Sequence, residues 1–117
     1  MPRQTILIVE DEAVIAMSLQ LELEDEDYAT LLATTIAAAR EAVLVSRPDL
    51  VILDYHVGGG TTEAFARELS TLGVPFIVGS GTQESDLRPL FGDVPVFAKP
   101  FRTSELLDVI RSVLPIG

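Results

Sequence analysis

Five short apolar runs, separated by segments of helical period, constrain the fold of this chain more than any other feature. They are Thr5–Val9, Ala29–Ala33, Leu50–Leu53, Phe76–Gly79 and Val94–Ala98. Several are unbroken β-branched or aliphatic stretches without polar alternation, the pattern of a strand covered on both faces in a parallel sheet. Their starts lie roughly 20 to 25 residues apart, enough chain for a crossover helix at each step.

The intervening segments supply those helices. Ala13–Glu26 is the first. Ile36–Val45 is the second, with Thr35 as N-cap and Ile36, Ala39 and Val43 on one face. Thr62–Leu72 is the third, closed by Gly73 and Pro75, and Ser104–Leu114 is the last, with Thr103 as cap and Pro115 as stop. The alternation predicts a doubly wound α/β domain with a five-stranded parallel sheet, flavodoxin-like order 2-1-3-4-5, and helices on both faces. The fourth crossover is weaker. Only 18 residues separate Ser80 from Lys99, and they include Gly81, Pro89, Gly92 and Pro95. The expectation there is one or two helical turns, a short or irregular fourth helix.

At 117 residues the chain is expected to form one domain over 1–117, without linker, repeat or low-complexity tract. Eight cationic against 18 acidic side chains give a net charge of −10, which argues against nonspecific nucleic-acid binding. The absence of cysteine excludes disulfides, thiolate metal sites and a cysteine nucleophile. No apolar run is long enough to span a bilayer, and the run after Met1-Pro2-Arg3-Gln4 is too short for a signal-peptide core. The expected setting is soluble and cytoplasmic. The first helix carries two apolar stripes, Ile15-Leu19-Leu23 and Val14-Met17-Leu21. One should face the sheet. The other is an extension of the core, scattered surface, or a patch for a partner or a homodimer.

In an open parallel sheet, ligands bind beyond the carboxyl ends of the strands. The residues there are Glu10, Asp11 and Glu12 after the first run, Asp54 after the third, Ser80 after the fourth, and Lys99 then Pro100 after the fifth. Lys99 is the only lysine in the chain. Carboxylates this close cannot all ionise cheaply without a cation, and an oxygen-only set suits a hard divalent ion such as Mg²⁺. A metal would let an anionic phosphoryl group approach, and an aspartate can attack phosphorus to form an acyl phosphate. A lysine and a serine hydroxyl can take the remaining charge and a hydrogen bond. Taken singly these residues read as a turn aspartate, a solvated helix N-terminus, a turn serine and a surface lysine; their placement at successive strand ends is what joins them.

These residues resemble the receiver domain of two-component response regulators, over essentially the whole chain. The resemblance rests on Ile6-Leu7-Ile8-Val9-Glu10-Asp11-Glu12, on Pro48-Asp49-Leu50-Val51-Ile52-Leu53-Asp54, and on Val96-Phe97-Ala98-Lys99-Pro100-Phe101. It implies Asp54 as phosphoacceptor, with Asp11 holding Mg²⁺ directly, Glu10 through water, and the backbone carbonyl of His56 completing the protein ligands. It implies that Ser80 contacts the phosphoryl group, that Lys99 pairs with it, and that Pro100 shapes the loop. A histidine kinase or histidine phosphotransfer protein would supply the phosphoryl group, and an unidentified downstream protein would read the result. With no output domain expected after Gly117, the receiver would act by protein–protein contact or as a shuttle. Three positions depart from the family pattern. Val96 stands where an aromatic switch residue is usual, Ser80 where threonine is usual, and Val57-Gly58-Gly59-Gly60 where the loop often carries Met-Pro. The segment Pro75–Gly81 with its shortened crossover resembles a subgroup of single-domain receivers.

The alternative is a receiver-like binding module that works without phosphorylation. A phosphohydrolase with an aspartyl nucleophile fits less well, because His56 stands where such enzymes place a second aspartate. His56, the only histidine, reads as an exposed loop side chain or as a neighbour of the acyl phosphate. Gly58-Gly59-Gly60 reads as a loop of unusual freedom. The acidic run Glu22, Glu24, Asp25, Glu26, Asp27 reads as a solvated helix end.

Overall fold

The computed structural model describes residues 3–80, 96–98 and 102–114, with the backbone alone at Ser80, at 96–98 and at Thr103. Five parallel strands form the main sheet: β1 (Thr5–Val9), β2 (Ala29–Ala33), β3 (Leu50–Asp54), β6 (Phe76–Ser80) and β7 (Val96–Ala98). Two very short strands, β4 (His56–Val57) and β5 (Gly60–Thr61), make a separate antiparallel hairpin. The sheet order is β2-β1-β3-β6-β7, which is 2-1-3-4-5 when only the five sheet strands are counted. This is the order expected from the sequence.

Helices α1 (Ala13–Asp25), α2 (Ile36–Ser46), α3 (Glu63–Leu72) and α4 (Thr103–Val113) cover the two faces. Strand residues alternate between them, since successive side chains point to opposite sides. Leu7, Val9, Val51, Leu53 and Val78 pack with Ala39, Val43, Phe65 and Leu69 of α2 and α3. Ile6, Ile8, Leu50, Ile52 and Ile77 pack with Leu19, Leu23, Leu106 and Ile110 of α1 and α4. Both faces of β1 and β3 are therefore apolar, which is why those runs read without alternation.

Several sequence readings are corrected. β2, one of the five runs read as buried strands, is only partly buried. It is the sheet edge, and Leu32 on it is exposed. Thr103 is the first helical residue of α4 and not its cap; Arg102 holds the cap position without a side-chain cap bond. Thr62 precedes α3 and does not belong to it. By contrast, Thr35 caps α2, accepting from the Ala38 N–H at 3.1 Å, and Gly73 ends α3 in the left-handed region at φ 73°. In α1, Leu19 and Leu23 are buried while Val14, Met17 and Leu21 stay exposed. The expected fourth helix falls outside the described residues.

A two-pronged ion pair joins α2 to α3. The Arg40 guanidinium donates to the Glu68 carboxylate at 2.7 Å and 2.9 Å. That hydrogen bonding holds the Glu68 carboxyl below its ordinary range and raises Arg40. A carboxyl lowered on folding stabilises above the unfolded value and loses that contribution as pH falls through the folded one. Glu68→Gln should therefore be less stable than the parent at neutral pH and converge with it on acidification, as read by urea unfolding across pH. Leu53→Ala, at a fully buried position, should cost about 2–5 kcal/mol, whereas Val45→Ala, at an exposed one, should stay within about 0.5 kcal/mol in the same assay.

Candidate functional site

The site lies at the carboxyl ends of β1 and β3, which are neighbours in the sheet. Their register sets Val9 opposite Leu53, so the residues that follow, Glu10 and Asp54, emerge side by side. Glu10 is fixed by its N–H, which donates to the Ala33 carbonyl at the end of β2 at 3.1 Å. Asp54 is the last residue of β3 and pairs with Gly79 of β6. Glu10, Asp11 and Asp54 each contribute a carboxylate oxygen to a cluster whose atoms all lie within 4.8 Å of one another. Glu10 is buried, Asp54 half-buried and Asp11 exposed, so the cluster opens to solvent on one side.

Neighbouring amides hold the acids. The Glu12 N–H donates to Glu10 Oε1 at 3.3 Å, folding that carboxylate back over the start of α1. The Gly58 N–H donates to Asp11 Oδ2 at 3.0 Å, tying the hairpin to the acidic cluster. Gly58 and Gly59 have φ of 65° and 80°, the paired left-handed conformation of a two-residue hairpin turn. The glycine run is thus an ordered turn between β4 and β5, not the free loop expected from composition.

Thr62 anchors the acceptor strand. It is fully buried, and its hydroxyl lies 2.8 Å from the Asp54 carbonyl and 3.2 Å from the Tyr55 carbonyl. Its own N–H donates to the Tyr55 carbonyl, and the Tyr55 N–H donates to the Gly79 carbonyl. The backbone around Asp54 is thereby held by β6 on one side and by the entry to α3 on the other. The Tyr55 hydroxyl donates to Glu63 at 3.0 Å, and partial burial followed by that bond raises the phenol.

Of the residues singled out by sequence, Glu10, Asp11 and Asp54 come together. His56 lies on β4, exposed, its ring set edge-on to Tyr55 with centroids 4.6 Å apart. Ser80 is the last residue of β6, opposite Ala98 of β7, and Val96 lies opposite Val78. Lys99 and Pro100 lie outside the described residues. Thr62, Gly58 and Tyr55 were not singled out as site residues. The Gly-Gly pair flanked by short extended segments is a hairpin signal that could have located Gly58. Thr62 carried no such signal, because a threonine before a helix reads as a cap.

The profile of the family described as "Response regulator receiver domain" matches residues 6–111. The chain is 31% identical over 118 residues to the phosphate regulon transcriptional regulatory protein PhoB of Pseudomonas aeruginosa, across 95% of this chain and 52% of that protein. It is 29% identical over 121 residues to sporulation initiation phosphotransferase F of Bacillus subtilis, across 99% of this chain and 98% of that one. It thus spans about half of the first relative and nearly all of the second. Among solved structures, the non-phosphorylated HemR receiver domain from Leptospira biflexa superposes with a TM-score of 0.83 at 26% identity, covering 98% of this chain and 97% of that one.

Replacing Thr62 by valine keeps the shape and removes the hydroxyl donor from two carbonyls. Thr62→Val should lower stability by about 1–3 kcal/mol in urea unfolding. Gly59→Ala should cost about 1–2 kcal/mol from its positive φ alone, because an added Cβ there meets nothing within 4 Å.

Proposed function

The chain belongs to the response regulator receiver domain family, and on that premise we propose that it takes a phosphoryl group onto Asp54 from a histidine kinase or histidine phosphotransfer protein and signals by protein–protein contact. The observation that carries this reading is the gathering of the Glu10, Asp11 and Asp54 carboxylates at one strand edge. The donor set is made of carboxylate oxygens, and it fits a hard divalent cation. Asp11 and Asp54 would hold Mg²⁺ directly, Glu10 through water, and the His56 carbonyl would complete the protein ligands. When bound, the ion would offset the charge of the acids and of the incoming phosphoryl group.

The chain's own residues do the rest by position. An Asp54 carboxylate oxygen attacks phosphorus as the phosphorus–nitrogen bond to the donor imidazole breaks. Thr62 keeps the Asp54 backbone still during that step, as the Gly58 amide does for Asp11. In this reading Ser80 donates its hydroxyl to the phosphoryl group, Lys99 pairs with it, Pro100 shapes the loop and Val96 occupies the switch position. The chain would catalyse only its own phosphorylation and the hydrolysis of its own acyl phosphate. We read residues 1–117 as a single receiver unit working in the cytoplasm. Among the described residues no helix is long and apolar enough to cross a membrane.

A small phosphodonor with Mg²⁺ should add one phosphoryl group, read by intact mass, and Asp54→Asn should abolish the adduct while leaving the circular dichroism spectrum unchanged. Asp11→Asn should weaken Mg²⁺ binding about tenfold or more by calorimetry. An unlabelled parent protein whose amide spectrum also ignores BeF₃⁻ would favour the phosphorylation-independent module instead.

A further inference from the structure

The run Val57-Gly58-Gly59-Gly60 departs from the family pattern, and in the folded chain it is a built element. His56 pairs with Thr61 and Val57 with Gly60, so Gly58 and Gly59 form the whole turn between β4 and β5. Val57 is buried in the core shared with α2 and α3. Thr62, fully buried, pins the exit of the hairpin to the carbonyls of Asp54 and Tyr55. The base of the hairpin is thus fixed, and its tip is carried to Asp11. Left-handed φ of 65° and 80° at successive residues is open to glycine and strained for most other side chains.

Asp11 has the most to gain from that contact. It is exposed, whereas Glu10 is buried and Asp54 half-buried. An exposed carboxylate samples several rotamers, and fixing it on a ligand costs entropy. The Gly58 N–H already holds Asp11 Oδ2 at 3.0 Å, and among the described residues it is the one hydrogen-bond donor to that carboxylate. The bond is charge-assisted, and it offsets part of the repulsion among the three acids. A single N–H leaves the carboxylate with lone pairs for a cation.

From this geometry we infer that Gly58 is a positioning residue for the divalent cation, acting through Asp11 and not as a ligand: its N–H sets the Asp11 carboxylate in place before the ion arrives. The inference rests on the reading of Glu10, Asp11 and Asp54 as a cation site, and it adds a coupling to that reading. The closed turn binds the ion more tightly than an open one, so by linkage the ion closes the turn by the same factor. Cation binding thereby steadies the hairpin that carries the exposed His56.

The test is calorimetric titration of the full chain with Mg²⁺, with no phosphodonor present. Gly58→Pro removes the N–H and forbids a φ of 65°, so the bond cannot form. It should weaken Mg²⁺ binding about threefold to tenfold. Gly58→Asn keeps the N–H and suits the first position of this turn, so it should hold the parent's affinity within about twofold. Gly73→Ala is the control for strain. It adds a Cβ at φ 73° with nothing within 4 Å, at the far end of α3, and should lower stability while leaving Mg²⁺ affinity unchanged. The unmutated chain gives an independent reading: Mg²⁺ should slow exchange of the Gly58 amide hydrogen, followed by NMR, by a factor comparable to the loss in Gly58→Pro. Unchanged or tighter binding in Gly58→Pro would overturn the inference and leave the cation site standing. So would an equal loss in Gly58→Asn or Gly73→Ala, or Gly58 exchange indifferent to the ion. A parent with no Mg²⁺ affinity would instead remove the cation site itself, and the inference with it.

Discussion

Three carboxylates brought within 4.8 Å of one another repel, and the fold keeps them there through the adjacency of β1 and β3. The strands are neighbours because each is apolar on both faces and is buried only inside a parallel sheet. Ile6, Leu7, Leu50, Val51 and Leu53 are fully buried on one or the other side of it. Hydrophobic burial spread over two cores thus holds an arrangement that electrostatics alone disfavours. The repulsion is local and the burial is distributed over both faces of the sheet.

Around that cluster the backbone is tied down from several directions. The hairpin turn reaches Asp11 through the Gly58 amide, and α3 reaches the Asp54 and Tyr55 carbonyls through Thr62. Both ties come from the segment between β3 and α3. A change in the charge carried by Asp54 or Asp11 would therefore be felt first in that segment. The proposed phosphoryl contacts of Ser80 and Lys99 would add a second route, through the ends of β6 and β7.

Much of the fold was legible because its signals are local. Unbroken apolar runs identified the five sheet strands, helical periodicity identified the segments between, and Thr35 and Gly73 marked real helix ends. The acids were legible for the same reason: each lies at the carboxyl end of an apolar run. The hairpin was missed because β4 and β5 have only two residues each, too few to show a period. The place of β2 at the sheet edge followed from the expected strand order, and its partial exposure follows from that place. Thr62, read as the first residue of the third helix, stands just before it, and its hydroxyl turns to the end of β3 and not to the helix.

The sequence by itself determined the alternation of strands and helices, the acidic balance, and which residue types stand at the strand ends, because these depend on neighbours along the chain. Only the tertiary structure decided how closely Glu10, Asp11 and Asp54 approach, that Gly58 serves Asp11, and that it is Val14, Met17 and Leu21 that remain outside the core. Those facts depend on strand order and register, which join residues more than 40 positions apart, as in the bond of |i−j| = 47 between Gly58 and Asp11. Periodicity is a property of a segment; proximity across the sheet is set by how the segments pack.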